Sequence, residues 1–458
     1  AMLHQKVKDK LDGVGCGFCI AKWSQVTIHL STGMTHSCHH PSPHKIPLKE
    51  LELNPSALHN TRYKKKKRKE MLDGKRPSEC DFCWNVEDNS DSFSDRVFKS
   101  AEPWSWQDYD KIKSSHWNDN VNPRYVEVSF ANTCNLKCAY CGPQYSSKWV
   151  EEIEEHGGYP TSQDFNNIKS IKARGEMPYL HKEFNPYVEA FWKWWPDLYK
   201  DLHTFRITGG EPLLTKDTFK VLEYIQENWE QNPNLSLAIN TNLSVPDKLI
   251  EKFLLIAKDL TENNKVRELI IFTSVEATGS QAEYTRFGLK YDKFWINIEK
   301  LLTELPKLTV NIMAAFNALS VFTYGDLIEK VFEFKRRFHN KDRYWGDALQ
   351  LDTSYLRWPS HLSIKILEPV HKELIYDAAV KALYYGKNPP PDDTAGFSDI
   401  QIQKIKRTYD YAIGDSNFDV EKNRKDFASF ITEYDKRRGT NFIETYPELE
   451  ELYVKYKK

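Results

Sequence analysis

The 458-residue sequence predicts an α/β fold, and three observations carry that prediction. Across residues 120–370, short apolar runs alternate with segments of helical period, the pattern of strands joined by crossover helices. The first run leads directly into three closely spaced cysteines. The second leads into a Gly-Gly-Glu-Pro turn.

Taken in order, Tyr125-Val-Glu-Val-Ser-Phe130 alternates apolar and polar positions and reads as a strand. Cys134-Asn-Leu-Lys-Cys138-Ala-Tyr-Cys141 follows it in C-x3-C-x2-C spacing. Three thiolates on one tight loop suit a metal cluster that takes most of its ligands from protein and leaves one iron open. A four-cysteine zinc site leaves no such vacancy. Thr204–Thr208 is the second strand and ends at Gly209-Gly210-Glu211-Pro212. Two glycines allow close backbone approach to a ligand, and a carboxylate is the natural partner of a cation. Phe219, Leu222, Ile225 and Trp229 then mark the core stripe of a helix. Leu235–Asn242, Glu268–Glu276, Leu308–Phe316 and Leu349–Leu356 supply four more strands, and Tyr284-Thr-Arg286 follows the fourth of the six.

Together these motifs resemble the signature of the radical S-adenosylmethionine (radical SAM) enzymes. The resemblance covers residues 120–370 and implies a partial (β/α)6 TIM-like barrel with the site at the carboxyl ends of its strands. It implies that Cys134, Cys138 and Cys141 are the catalytic metal ligands, holding a [4Fe–4S] cluster whose fourth iron chelates S-adenosyl-L-methionine (SAM). Gly209, Gly210 and Glu211 match the turn that receives the SAM ammonium. Ser274 and Glu276 match the ribose ligands, although many relatives carry Asp where Glu276 stands. Arg286 matches the partner of the SAM carboxylate, and Tyr140 matches the aromatic that lies against adenine. The implied chemistry is reductive cleavage of SAM to a 5′-deoxyadenosyl radical that abstracts hydrogen from a substrate, fed by an electron donor such as flavodoxin or ferredoxin.

The other five cysteines are Cys16 and Cys19 in C-x2-C, Cys38, and Cys80 and Cys83 in a second C-x2-C. Cys19 to Cys38 reads C-x13-G-x4-C through Gly33, with a strand at Gln25–Leu30 and a turn at Ser31-Thr-Gly33. This resembles the SPASM and twitch modules, which hold an auxiliary [4Fe–4S] cluster but ordinarily follow the barrel. Cys19, Cys38, Cys80 and Cys83 make a complete four-thiolate set. Cys16 is left over, and its pairing with Cys19 implies shared metal duty. Zinc is the alternative, since paired C-x2-C motifs also build ribbons and His36, His39, His40 and His44 lie near, though the gap between the pairs is long for a ribbon.

Composition fits a large soluble enzyme: 40% of residues are hydrophobic and 13% aromatic, enough for sizeable cores. The expected domains are a cysteine-rich module at 1–115, the barrel at 116–370 and a helical C-terminal extension at 371–458. No secretory h-region follows Ala1-Met2, and no run reaches the roughly eighteen apolar residues of a membrane span. A cytoplasmic, reducing setting without membrane contact is expected, and disulfides are not. The net charge of −1 gives no global attraction to nucleic acid. Locally, residues 11–86 hold twelve Lys or Arg against seven Asp or Glu, with Lys64-Lys-Lys-Lys-Arg-Lys69 unbroken. That run is either a solvated helix face or a docking surface for an acidic partner. Phe191-Trp-Lys-Trp-Trp195 lies in an insertion and reads as a substrate cap or a packed helix. Beyond Pro369 the chain is helical, broken at Asn388-Pro-Pro-Pro391-Asp-Asp. SPASM and twitch relatives often modify peptides, so a peptide or protein substrate is the first expectation and a small molecule or nucleotide the second. A zinc- or cluster-binding nucleic-acid-interaction protein is the reading from another class.

Overall fold

The computed structural model describes residues 2–457 except 181, 344–345, 388–394 and 415–416. The expected break at Asn388–Asp393 and the leading Ala1 lie outside the described residues. One sheet organises the chain: β1 (Gln25–His29), β2 (Met34–His36), β3 (His44–Lys45), β4 (Tyr125–Ser129), β5 (Thr204–Thr208), β6 (Ser236–Asn240), β7 (Glu268–Thr273), β8 (Thr309–Phe316) and β9 (Leu349–Tyr355). Their order is β3-β2-β1-β4-β5-β6-β7-β8-β9, with β4 to β9 parallel. The last strand does not return to the first, so the barrel is partial, as the sequence predicts.

Alternation explains which face is covered. Val126 and Val128, Phe205 and Ile207, Leu269 and Ile271, and Val310 and Ile312 are buried in one apolar core with the crossover helices. The intervening positions Glu127, Arg206 and Asn240 turn to the other face, where Arg206 Nε donates to Asn240 Oδ1 at 2.9 Å. Among the crossover helices are Lys216–Asn228, Asp247–Glu262, Tyr291–Glu304 and Tyr324–Arg337. Phe219, Leu222 and Ile225 are buried on the first of these, while Trp229 falls just past its end.

The N-terminal segment extends this sheet. β1 pairs in parallel with β4, from Gln25 opposite Tyr125 to His29 opposite Ser129, and Leu30 N donates to Ser129 O at 2.8 Å. A small second core, including Val7, Leu11, Phe18, Trp23 and Met71, supports that segment. The basic run lies on helix Arg62–Leu72, capped by Thr61, and the helical period divides it. Lys64 and Arg68, one turn apart, point inward and are buried. Lys64 Nζ meets His59 Nδ1 at 3.1 Å, and Arg68 donates to Lys22 O and Asn60 Oδ1. The run is therefore neither a wholly solvated face nor one continuous docking surface. Phe191, Trp194 and Trp195 are likewise buried on helix Pro186–Asp201, Trp195 lying 4.8 Å from Phe205 of β5. That helix packs on the sheet, and none of its residues lines the cavity of the three loop cysteines.

Candidate active site

The cysteine loop leaves the end of β4 and is held at several points. Lys137 N and Ala139 N donate to Phe287 O and Thr285 O, and Trp149 Nε1 donates to Cys138 O at 2.9 Å. Cys134, Cys138 and Cys141 share one cavity of about 170 Å³ with Tyr140, Gly209, Gly210, Thr241, Asn242, Ser274 and Arg286. Six of the residues singled out in sequence beyond the cysteines thus divide: Tyr140, both glycines, Ser274 and Arg286 reach the cavity, while Glu276 stands behind it.

Burial pushes the Cys141 thiol up to about 12 and raises Cys134 and Cys138 as well. Such thiols stay protonated until a metal displaces the proton. Arg286 is the charged group among them. Its Nη1 lies 3.3 Å from Cys138 Sγ, its Nη2 donates to the Tyr140 hydroxyl at 2.6 Å, and its Nε donates to Glu276 Oε2 at 3.1 Å. Burial disfavours the guanidinium charge, but Cys138, Tyr140 and Glu276 more than offset it and raise its pKa.

Two carboxylates sit differently from the sequence expectation. Glu211 is 1% exposed, and its oxygens accept from Leu213 N at 2.9 Å, Thr241 Oγ1 at 3.0 Å and Asn242 N at 2.6 Å. The carboxylate is consumed in capping the turn Pro212–Leu214 and tying β5 to β6, and burial pushes it up to about 7. Glu276, also 1% exposed, orients Arg286, and its Oε1 is buried with no hydrogen-bond partner.

The glycines prove to be needed for the chain itself. A Cβ on Gly210 would lie 2.4 Å from Thr133 O and 2.6 Å from Asn132 O, and Gly209 has φ +124°. Glu211 N donates to Thr133 O at 2.7 Å, so the turn is stitched to the backbone beside Cys134. Gly210→Ala is expected to displace that backbone and cost about 1–3 kcal/mol by overpacking. Chemical denaturation should show the loss, together with a lower iron content after reconstitution; a variant matching the parent in both would remove the argument.

Sequence reading missed the groups that brace this loop from the C-terminal extension. Arg438, on helix Val420–Arg438, donates to Lys137 O at 2.6 Å and to Glu152 Oε1 at 2.9 Å, and its guanidinium lies 4.7 Å from the Trp149 ring. Tyr446 joins Thr285, Gln281 O and Leu319 O through its hydroxyl. The available signal was an arginine continuing the apolar stripe Phe427, Phe430, Tyr434 at helical spacing.

A second cysteine cavity lies in the N-terminal segment. Cys19, Cys38, Cys80 and Cys83 line it with Lys22, Ser37 and Arg96. Cys16 is absent from that lining and is exposed. Gly15 and Gly17 on either side of it press against the backbone of residues 74–76, which turns Cys16 outward. Among the histidines, His36 Nδ1 contacts Cys38 O at 2.6 Å, His44 contacts Thr61, and His40 pairs with Asp95 at 2.6 Å, close to His39.

A third cavity, of about 520 Å³, shares Tyr140, Cys141 and Tyr145 with the first. Its other walls come from the β1–β2 hairpin, through His29, Ser31, Thr32 and Met34, and from the insertion between residues 164 and 176.

No family model matches the chain. Two curated relatives are similar in sequence: a GTP 3′,8-cyclase of Desulforamulus reducens, 28% identical over 200 residues (43% of this chain, 48% of the relative), and a GTP 3′,8-cyclase of Campylobacter lari, 26% identical over 119 residues (26% of this chain, 28% of the relative). This similarity supports the radical SAM resemblance read from the cysteine and glycine motifs. The chain spans about half or less of the length of the relatives it matches. Crystal structures of Streptococcus suis SuiB also align: bound to S-adenosylmethionine, with 12% identity and a TM-score of 0.33 over 93% of this chain and 74% of that one, and bound to precursor peptide SuiA, with 12% identity and a TM-score of 0.32 over 82% and 71%.

The radical SAM resemblance implies SAM and a [4Fe–4S] cluster. The site's chemistry fits both. Three thiols converge on one cavity with a guanidinium at its edge, and among the described residues the buried Thr273 Oγ1 in its lining and Glu276 Oε1 behind Arg286 have no hydrogen-bond partner. Among the described residues, no helix is long and apolar enough to cross a membrane.

Proposed function

We propose that the chain is a radical SAM enzyme acting on a peptide or protein segment bound in the 520 Å³ cavity. Cys134, Cys138 and Cys141 would hold a [4Fe–4S] cluster, which together with SAM would supply radical abstraction of hydrogen from a substrate carbon. The chain's own residues do the rest. Arg286 offers a cation for the SAM carboxylate, held in line by Glu276. Ser274 and the backbone around Gly209 and Gly210 offer neutral polar groups in the same cavity. Tyr140 and Tyr145 stand between the two cavities and keep water from the reacting carbon.

The observation that carries the substrate class is the charge of the larger cavity. Its one arginine, Arg174, is already paired with Glu176 at 3.1 Å, and Asp164 adds a second carboxylate. That wall repels the negative charge of a nucleoside triphosphate, whereas Ser31, Thr32, Gln144 and Asn167 suit amide groups. A nucleotide substrate is the second reading, favoured by the similarity to GTP 3′,8-cyclases.

We assign Cys19, Cys38, Cys80 and Cys83 to an auxiliary [4Fe–4S] cluster in preference to zinc. Zn–S bonds of about 2.3 Å in a tetrahedron put sulfurs about 3.8 Å apart. Among the described residues, no three cysteines bring their sulfurs within 4.8 Å of one another. Thiolates on separate irons of a cluster spread wider, which supports the cluster.

Anaerobic reconstitution with metal counting, followed by a dithionite-driven assay for 5′-deoxyadenosine, tests this reading. About eight irons per chain and SAM cleavage are expected. About four irons with one zinc overturns the auxiliary cluster, and absence of 5′-deoxyadenosine overturns the enzyme. Added GTP is expected to leave 5′-deoxyadenosine formation unchanged; stimulation with hydrogen transfer from GTP overturns the peptide reading.

A further inference from the structure

Lys22 is an unusual residue to find where it lies. It sits in the short helix Ala21–Ser24, three residues after Cys19, and is 2% exposed. Lysines are almost never buried this deeply without a partner that needs the charge. Its Nζ donates to Ser37 Oγ at 2.8 Å and to Glu79 Oε1 at 2.6 Å. Each of those residues directly precedes a cysteine of the four-thiol cavity, Cys38 and Cys80, and Lys22 itself lines that cavity.

Lys22 is one of several cations at this cavity, which also holds the carboxylate of Asp95, paired with His40. Arg68, fully buried, bonds among the described residues to neutral acceptors and His59, one of them the Lys22 carbonyl. Arg96 and Lys99 also line the cavity; Arg96 is matched by Glu87 and Asp12. Burial acts against the Lys22 ammonium, yet Cys80, then Glu79 and Cys38, raise its pKa overall. Buried positive charge of this kind is costly unless negative charge is bound against it.

We propose that Lys22 sets the reduction potential of the auxiliary site, its ammonium stabilising the extra electron of a cluster held by Cys19, Cys38, Cys80 and Cys83. The inference rests on the assignment of that site as an iron–sulfur cluster. The step is a one-electron one: the oxidised cluster takes one electron from the reductant, and neither proton nor covalent bond changes at Lys22. Net charge around a cluster is one of the quantities that fixes its potential. A site built this way accepts an electron more readily than the same four thiolates would without the ammonium.

The test is a dithionite titration followed by EPR on the reconstituted full chain, in a Cys134→Ala/Cys138→Ala/Cys141→Ala background so that the second cluster alone is read. K22M is expected to lower the equilibrium constant for reduction at least tenfold, which is about 59 mV for one electron. K22R, which keeps the charge, is expected to restore the parent value. E79Q, which removes the opposing carboxylate, is expected to shift the potential the other way, and it carries the test if K22M loses its iron. Unmoved potentials in K22M or E79Q at full iron occupancy overturn the inference alone, as does a K22R shift equal to that of K22M. Zinc in place of iron in the background protein overturns the cluster assignment and the inference with it.

Discussion

Alanine at Cys134, Cys138 or Cys141 is expected to abolish 5′-deoxyadenosine formation and remove about four irons per chain, because each change takes one of three ligands from the cluster. Cys138 should be the most sensitive to packing as well. Its sulfur is buried against Arg286 Nη1 at 3.3 Å, so its loss leaves that guanidinium facing Glu276 and Tyr140 alone. Cys80→Ala and Cys83→Ala provide the contrast. They should keep at least part of the SAM cleavage while lowering iron content and substrate turnover, since the cysteine loop is intact. Appreciable 5′-deoxyadenosine from any one of the three loop variants would remove the catalytic assignment. Unchanged metal content in the other two would remove the auxiliary site.

Arg438→Met is expected to cost about 3–5 kcal/mol of stability, the usual loss when one partner of a buried ion pair is deleted. Burial raises the pKa of Glu152, but the hydrogen bonds and charge of Arg438, with help from Tyr159 and Lys137, override it and hold the carboxyl at about 2. The sign of the pH dependence follows. A carboxyl that protonates near 2 when folded and at its ordinary 4.5 when unfolded contributes stability that is complete above pH 4.5 and vanishes as pH falls through 2. Denaturation midpoints measured across that window should fall steeply toward acid in the parent and less steeply in Arg438→Met. Because Lys137 still reaches Glu152 at 3.0 Å, the loss should lie toward the smaller end of the range. Parallel pH profiles for the two proteins would show that Arg438 is not what holds Glu152 ionised.

Local pattern made much of the fold legible. Thr204–Thr208 is a strand with the bounds its alternation indicates, and each of the other five barrel strands falls within a residue to three of its apolar run. The β1–β4 pairing was not legible, because parallel partners about 100 residues apart leave no trace in either segment's own period. Direction was the other missing quantity. Glu211 and Glu276 follow strands as carboxylates at a ligand site would, yet the Leu213 amide in its own turn and the Thr241 hydroxyl and Asn242 amide one strand away claim the first, and Arg286 claims the second. The basic run misled for a simpler reason: composition counts six consecutive charges, whereas a helix sorts them by turn and carries Lys64 and Arg68 inside. Cys16 shows that shared spacing does not guarantee shared orientation, since the glycines flanking it decide which way the loop faces.

The clasp of Arg438 on the Lys137 carbonyl has a consequence for the order in which the protein is made. The two residues are 301 positions apart. At about 5–20 residues per second of synthesis, the cysteine loop waits roughly 15–60 s after leaving the ribosome before its brace exists. Through that interval β4 and its neighbours can pair while the helix that will brace the cysteine loop is still unmade. The nascent chain thus presents its cysteine loop for that interval without the Arg438 hydrogen bond that fixes the Lys137 carbonyl in the finished fold.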